Sequence, residues 1–370
     1  MKAAVRFVLG CLFVGVTLFT TAAYAADTHG TEGAVFVLTN ALSNNEVVAY
    51  DRNADGTLAQ AGTFATGGSG SGGTVDPLTS QGALQLSREH HLLFAVNAGS
   101  STITSFAVHG STLKQLQVVS SGGSFPVAIA QAGHLLYVLN TGGDGNINGF
   151  HITEDGLLRP IANSSRNLSS TESGASSLAF SPDRQFLVVT ERKTNVIDVF
   201  RVLPDGTLSA ISVDPSAGAV PFAAEFAPNG ALIVAELGGS ISSYAVLPNQ
   251  QLSVITASLP TDGKATCWNV ITPNGRFVYT SNAASSSLSG YGIGRFGVLT
   301  PIGATVVANN PAGSINLNVA VSKDGRFLYT LNTGSGAIGI FAIDGSGYLS
   351  DLGVVDGLPA ASGLNGLAAY

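Results

Sequence analysis

The chain has 370 residues, of which only 11% are charged, with a formal net charge of −7 and no basic block. That surface excludes the electrostatic footprint of a nucleic-acid or anionic-membrane binder. Its 46 glycines and 45% hydrophobic content exclude a disordered chain and suit a β-rich fold with many tight turns.

Lys2 and Arg6 precede an apolar run from Phe7 to about Phe19, and Ala23-Tyr24-Ala25 follows as a small-x-small cleavage site. This pattern predicts a signal peptide over 1–25, a short tail over 26–31 and an exported mature protein, periplasmic or extracellular. The run is shorter than the ~20 residues of a spanning helix, so no membrane span is expected after signal removal. Loss of Cys11 leaves Cys267 alone, so core packing and closure, not a disulfide, must hold the mature chain.

Three markers then recur seven times, at steps of 43 to 57 residues. The first is an apolar strand ending in a polar residue: Asn40, Asn97, Asn140, Glu191, Glu236, Asn282 and Asn332. The second is an aromatic in the next strand: Tyr50, Phe106, Phe150, Phe200, Tyr244, Tyr291 and Phe341. The third is a leucine after a turn: Leu58, Leu113, Leu158, Leu208, Leu252, Leu299 and Leu349. Asp55-Gly56, Asp155-Gly156, Asp205-Gly206 and Gly345-Ser346-Gly347 are good hairpin signals at those turns. A further strand precedes the first marker in six repeats: 83–86, 127–130, 177–180, 223–226, 268–271 and 317–321. The first repeat lacks one, and Leu364 to Tyr370 supplies it from the other end of the chain. The expected fold is all-β, a seven-bladed β-propeller over 32–370 with four-stranded antiparallel blades, the C-terminal strand closing blade one. Gly67–Gly73 reads as a flexible link between the first two blades.

In such blades the residue ending the second strand lies on the face that carries the blade-to-blade links, called here the upper face. Five of the seven are Asn, whose side chain caps turns. Glu191 and Glu236 break the pattern with an ionisable group near the channel mouth. Arg192 and Lys193 follow Glu191 and can hold an anionic substrate group. Lys264 lies on the link before blade six. Trp268, the only Trp, begins the inner strand there and either stacks a ligand ring or plugs the core. Glu225 lies inside an inner strand, where burial demands a partner or a raised pKa. His90, His91, His109 and His134 map to lower-face turns, away from the mouth. With one cysteine and no upper-face histidine, no metal site and no cofactor are expected. Asn163-Ser164-Ser165 and Asn167-Leu168-Ser169 match glycosylation acceptors.

Ser322-Lys323-Asp324-Gly325-Arg326-Phe327-Leu328-Tyr329-Thr330-Leu331-Asn332, and its partial copy from Thr272 to Tyr279, resemble the repeat of the lactonase-like seven-bladed propellers. That family includes 6-phosphogluconolactonases and carboxymuconate cyclases, and the likeness covers essentially 32–370. It implies lactone hydrolysis, or the reverse lactonisation, of a small molecule at the channel mouth. The chain departs from the family's inner-strand histidines: Phe125-Pro126-Val127 and Gly174-Ala175-Ser176 carry none. Glu191-Arg192 and Ala235-Glu236-Leu237 stand where the family has its Asn-Glu and Ser-Asn-Arg. Glu191 or Glu236 is then the expected general base, with Arg192, Lys193 or Lys264 on the oxyanion or a substrate carboxylate. Gln81, Trp268 and Glu225 complete the expected binding set. The alternative is a propeller that binds a partner or ligand without catalysis.

Overall fold

Short runs rich in Val, Ile, Leu and aromatics, punctuated by Gly-containing turns, give seven antiparallel sheets in the computed structural model, which describes Met1 and residues 32–370. Met1 aside, the expected signal peptide and the 26–31 tail lie outside the described residues. Among the described residues there is no α-helix, only one 3-10 turn at Ala283–Ser285.

The inner strands of blades two to seven are Leu84–Leu86, Pro126–Ala132, Ala175–Phe180, Pro221–Phe226, Thr266–Ile271 and Asn316–Val321. Each packs on the inner strand of the next blade. The ring closes through Leu367–Ala369, which pairs with Gly33–Leu38 in the register Val37↔Leu367 and Val35↔Ala369. Blade one is therefore built from both ends of the domain, and its edge is covered. Arg52, only 2% exposed, secures the closure: Nε donates to the Tyr370 carbonyl at 3.0 Å, and Nη1 lies 3.5 Å from Asp324 of blade seven. The outer strand of blade three is broken into Leu158–Pro160 and Arg166–Asn167, both pairing with Asn146–Ile152.

The third-strand aromatics are all buried. Burial of each such side chain contributes about 1.5–3 kcal/mol. Second-strand tyrosines stitch neighbouring blades. Tyr137 donates to the Gly206 carbonyl, Tyr279 to Gly347 and Tyr329 to Gly56, at 2.8 to 3.0 Å. Those glycines sit at the predicted hairpin turns with φ of 82°, 88° and 88°, a backbone that side-chain-bearing residues rarely adopt. The turn chemistry and the inter-blade tie are thus one device.

The Gly67–Gly73 segment is not the flexible link expected of its composition. Gly70 N–H donates to Ala41 O and Gly72 N–H to Asn40 O, and the Asn40 amide donates to Ser71 Oγ at 2.9 Å. A Cβ on Gly70 would lie 2.2 Å from the Asn40 backbone. Its glycines permit close packing, not freedom.

Candidate functional site

The upper end of every inner strand is approached through a left-handed residue. Thr79, Phe125, Gly174, Val220, Ala265, Ile315 and Gly363 have φ between 48° and 83°. Five of the seven carry a Cβ, a strained choice that tertiary packing must hold. In blades three to seven a β-bulge follows at once. Bulges re-aim side chains next to sites. Here they bring chain from opposite blades into contact over the axis.

Two contacts close the channel beneath its mouth. Trp268 of blade six is 1% exposed and its Nε1–H donates to the Ser80 carbonyl of blade two at 2.9 Å. Phe222 of blade five meets the indole edge-on, centroids 4.9 Å apart. Beside them Gln81 Oε1 accepts from the Asn269 N–H at 3.0 Å, and Gln81 Nε2 donates to Asn269 Oδ1 at 3.3 Å. Of the two roles expected for Trp268, the observed geometry is that of a plug.

Above the plug, groups from several blades converge. Asp76, half-buried on the link into blade two, accepts from Asn365 Nδ2 of the closing segment at 2.7 Å. Burial pushes its carboxyl up to about 7, even though Thr79, the Arg192 charge, Asn365 and Ser80 pull the other way. Arg192 of blade four, half-buried, lies 5.8 Å over the Phe222 ring and feels the Asp76 charge. Desolvation depresses its pKa. Two buried polar atoms at this place have no protein partner: Arg192 Nε, a donor, and Asn365 Oδ1, an acceptor. Cys267 lies within the same electrostatic field, but burial pushes its thiol up, so it stays an unreactive thiol. A carboxyl pushed up toward neutrality lies in the field of a guanidinium, with two buried hydrogen-bonding atoms close by that have no protein partner.

The carboxylates singled out by symmetry are placed differently. Glu191 is 0% exposed; it accepts from Ser169 N–H at 2.9 Å, from the Ser169 hydroxyl, and from Thr194 Oγ1 at 2.6 Å. Glu236 is also 0% exposed; it accepts from Gly218 N–H at 3.0 Å and from the Ser240 hydroxyl. Burial raises the Glu236 pKa, against the four hydrogen bonds that lower it. Each pins the link into its own blade through Ser169 or Gly218. Among the described residues no hydrogen bond joins Glu191 to Glu236. Both carboxylates, expected as candidate bases, are enclosed by the chain in this structure.

Lys193 is exposed and lines a cavity of about 250 Å³ between blades three and four, with Thr141, Glu172 and Ser173. Lys264 is exposed, its backbone N–H on Ser285 Oγ. Glu225 is partly buried in its inner strand, accepts only from Ile271 N–H at 3.1 Å, and is pushed up to about 8 by burial. On the lower face, His90 stacks on Tyr370 with ring centroids 5.1 Å apart. Sequence reasoning missed Asp76, Asn365, Asn269 and Asp198. Asp76 carried a signal, the lone acid between the Gly-rich link and the first inner strand, but nothing local showed that the link folds over the axis.

A family model described as a lactonase, seven-bladed β-propeller, matches residues 28–171 and 144–249. A 6-phosphogluconolactonase of Yersinia enterocolitica is 32% identical over 127 residues, which are 31% of this chain and 38% of that protein. One from Yersinia pseudotuberculosis is 30% identical over 144 residues, 36% of this chain and 43% of that protein. The match thus spans less than half the length of these relatives. Among solved structures, a Lactobacillus plantarum protein superposes with a TM-score of 0.72 at 20% identity, covering 91% of this chain and 98% of its own. The periplasmic gluconolactonase of Pseudomonas aeruginosa superposes with a TM-score of 0.67 at 20% identity, covering 90% of this chain and 99% of its own.

Proposed function

The chain belongs to the lactonase family of seven-bladed β-propellers, and from that premise we propose that it is an exported hydrolase of small lactones, working at the upper channel mouth. The observation that carries this reading is the half-buried Asp76 carboxyl, held by Asn365 and poised near neutral pH within the field of the half-buried Arg192 guanidinium. Export is supported by the N-terminal pattern of basic residues, apolar run and small-x-small site. The periplasmic relative is compatible with it.

In the mechanism, ionised Asp76 removes a proton from water as the water oxygen bonds to the lactone carbonyl carbon. The carbonyl oxygen becomes an oxyanion, which the half-buried Arg192 guanidinium stabilises by its charge. Collapse breaks the ring C–O bond; the ring oxygen takes the proton back from Asp76 and leaves as the hydroxyl of a hydroxy acid. Asn365 orients Asp76 through its amide. One half-buried arginine beside a carboxyl suits an uncharged, hydroxyl-rich lactone better than a phosphorylated one. Lys193 and Lys264 stand at the exposed rim, where a product carboxylate departs. Gln81 and Trp268 form the floor, and Glu225 stands apart in its inner strand.

The test is proton release from a panel of sugar lactones by purified residues 26–370, with Asp76→Asn and Arg192→Met alongside. We expect kcat/KM to rise with pH through neutrality as Asp76 ionises. Removal of the base should cost about 10²–10⁴-fold, and removal of the guanidinium about 10²–10³-fold. Undiminished turnover by Asp76→Asn would overturn the assignment. Saturable lactone binding without turnover would return the chain to the non-catalytic alternative.

A further inference from the structure

We propose that Glu191 and Asp198 form one buried acid pair that shares a single proton, and that this proton locks the turn carrying Arg192 over the channel mouth. Only the consequence for Arg192 as a site residue rests on the reading above; the shared proton does not.

The two side chains come from neighbouring strands of blade four, Phe186–Glu191 and Val196–Arg201. Both residues are 0% exposed. They meet directly and grip the same backbone amide: Ser169 N–H reaches Glu191 Oε1 at 2.9 Å and Asp198 Oδ2 at 3.2 Å. Asp198 Oδ1 is buried with no partner. One donor N–H and two hydroxyls cannot neutralise two carboxylates.

Charged groups on the surrounding elements turn elsewhere. Arg192 faces Asp76 and Phe222. Lys193 is exposed and lies against Gly174. Arg166 of blade three spends its guanidinium on the carbonyls of Asn163, Ser165, Leu208 and Ser209. Asp214, on the adjacent outer strand opposite Ile197, accepts from Leu252 N–H and Ser212 Oγ. Glu172 is an exposed acid on the link. No cation contacts the pair among the described residues, so two negative charges here would be neither solvated nor paired, and one site keeps its proton. Burial first, and the Glu191 carboxylate second, push the Asp198 carboxyl up to about 9.

The equivalent places in blades two and six show what the proton replaces. There an Asn amide donates to Thr104 or Ser289. In blade four the donor is the acid proton. Glu191 also closes the turn through Thr194 Oγ1, and the next two residues are tied to the link by Arg192 N–H on Gly174 O and Lys193 N–H on Ser173 O. Loss of the proton sets two buried charges against each other at the root of this turn. Ser169, which covers the pair, is itself exposed, so water lies one residue away.

The experiment compares the full mature protein with Asp198→Asn, whose amide supplies a permanent donor to Glu191. Two readouts are followed between pH 5 and 10: urea unfolding, and amide exchange of residues 191–195 corrected for intrinsic rates. Between about pH 4 and 9 the native state holds a proton that the unfolded chain has lost. This pair should therefore contribute a shift of the parent's unfolding equilibrium toward the unfolded state of up to ten-fold per pH unit as pH rises. Asp198→Asn should lower that slope by up to ten-fold per pH unit, leaving the parts due to Glu225 and Asp76. Corrected exchange of the turn should accelerate about ten-fold above pH 9 in the parent and stay flat in the variant. An unchanged slope in Asp198→Asn refutes the shared proton. A lowered slope with turn exchange alike in both proteins refutes the lock. If Asp198→Asn is unfolded, Glu191→Gln is read by the same criteria, and carboxyl-carbon NMR of the parent decides: an Asp198 resonance titrating near pH 4 refutes the pair. None of these readouts needs lactone turnover, so they stand or fall separately from the catalytic reading.

Discussion

Trp268 is the chain's only tryptophan and it closes the channel, so its emission reports the plug alone. Trp268→Phe keeps an aromatic against Phe222 but removes the N–H that satisfies Ser80 O. An orphaned buried carbonyl costs about 1–3 kcal/mol. The smaller ring leaves about 40 Å² of apolar contact unmade, worth about 1 kcal/mol at 25 cal/mol per Å². The expected loss is about 2–4 kcal/mol, and Trp268→Ala should lose about 3–5 kcal/mol because the cavity over the axis cannot collapse between opposed blades. The assay is urea unfolding followed by far-ultraviolet circular dichroism, since the fluorophore is gone in both variants. In the parent, emission should be blue-shifted and poorly quenched by acrylamide, with no change on adding a lactone. A Trp268→Phe protein within 0.5 kcal/mol of the parent, together with lactone-dependent quenching in the parent, would refute the plug and restore ligand stacking.

Two further outcomes follow from the buried acids. Glu225 keeps its proton in the native state between about pH 4.5 and 8, so parent stability falls as pH rises through that window; Glu225→Gln should flatten the fall and gain about 2 kcal/mol at pH 8, after discounting for partial exposure, measured by urea midpoints at pH 5 and pH 8. Glu236→Gln turns one accepting oxygen into a donor facing Gly218 N–H or Ser240 and should lower stability by about 1–2 kcal/mol in the same assay; no change there would deny the link-pinning role.

Much of the fold could be read along the chain because a propeller repeats one local solution. The strand-ending Asn, the third-strand aromatic and the post-turn Leu each answer a constraint set within about fifty residues, so seven copies announced seven blades. The terminal strand was legible by subtraction, since one repeat lacked an inner strand and a spare apolar segment stood at the far end. Boundaries shifted where the inner strands begin. Pro126, Pro221 and Asn316 join their strands through left-handed residues and bulges that no alternation pattern encodes.

The site was less legible. Symmetry breaking at Glu191 and Glu236 marked residues that differ, but whether a different residue faces solvent or lies inside its blade depends on how the link above it packs. Ser169 covers one and Gly218 the other. The sequence by itself determined the seven strand-turn-strand units, the apolar faces that pack blade on blade, and the pairing of first and last strands, because each follows from local periodicity and turn chemistry. Only the tertiary structure decided which polar groups meet. Asp76, Arg192 and Asn365 are more than a hundred residues apart, and the pKa shifts of the first two and the partnerless atoms of the last two exist only because closure of the ring brings them together.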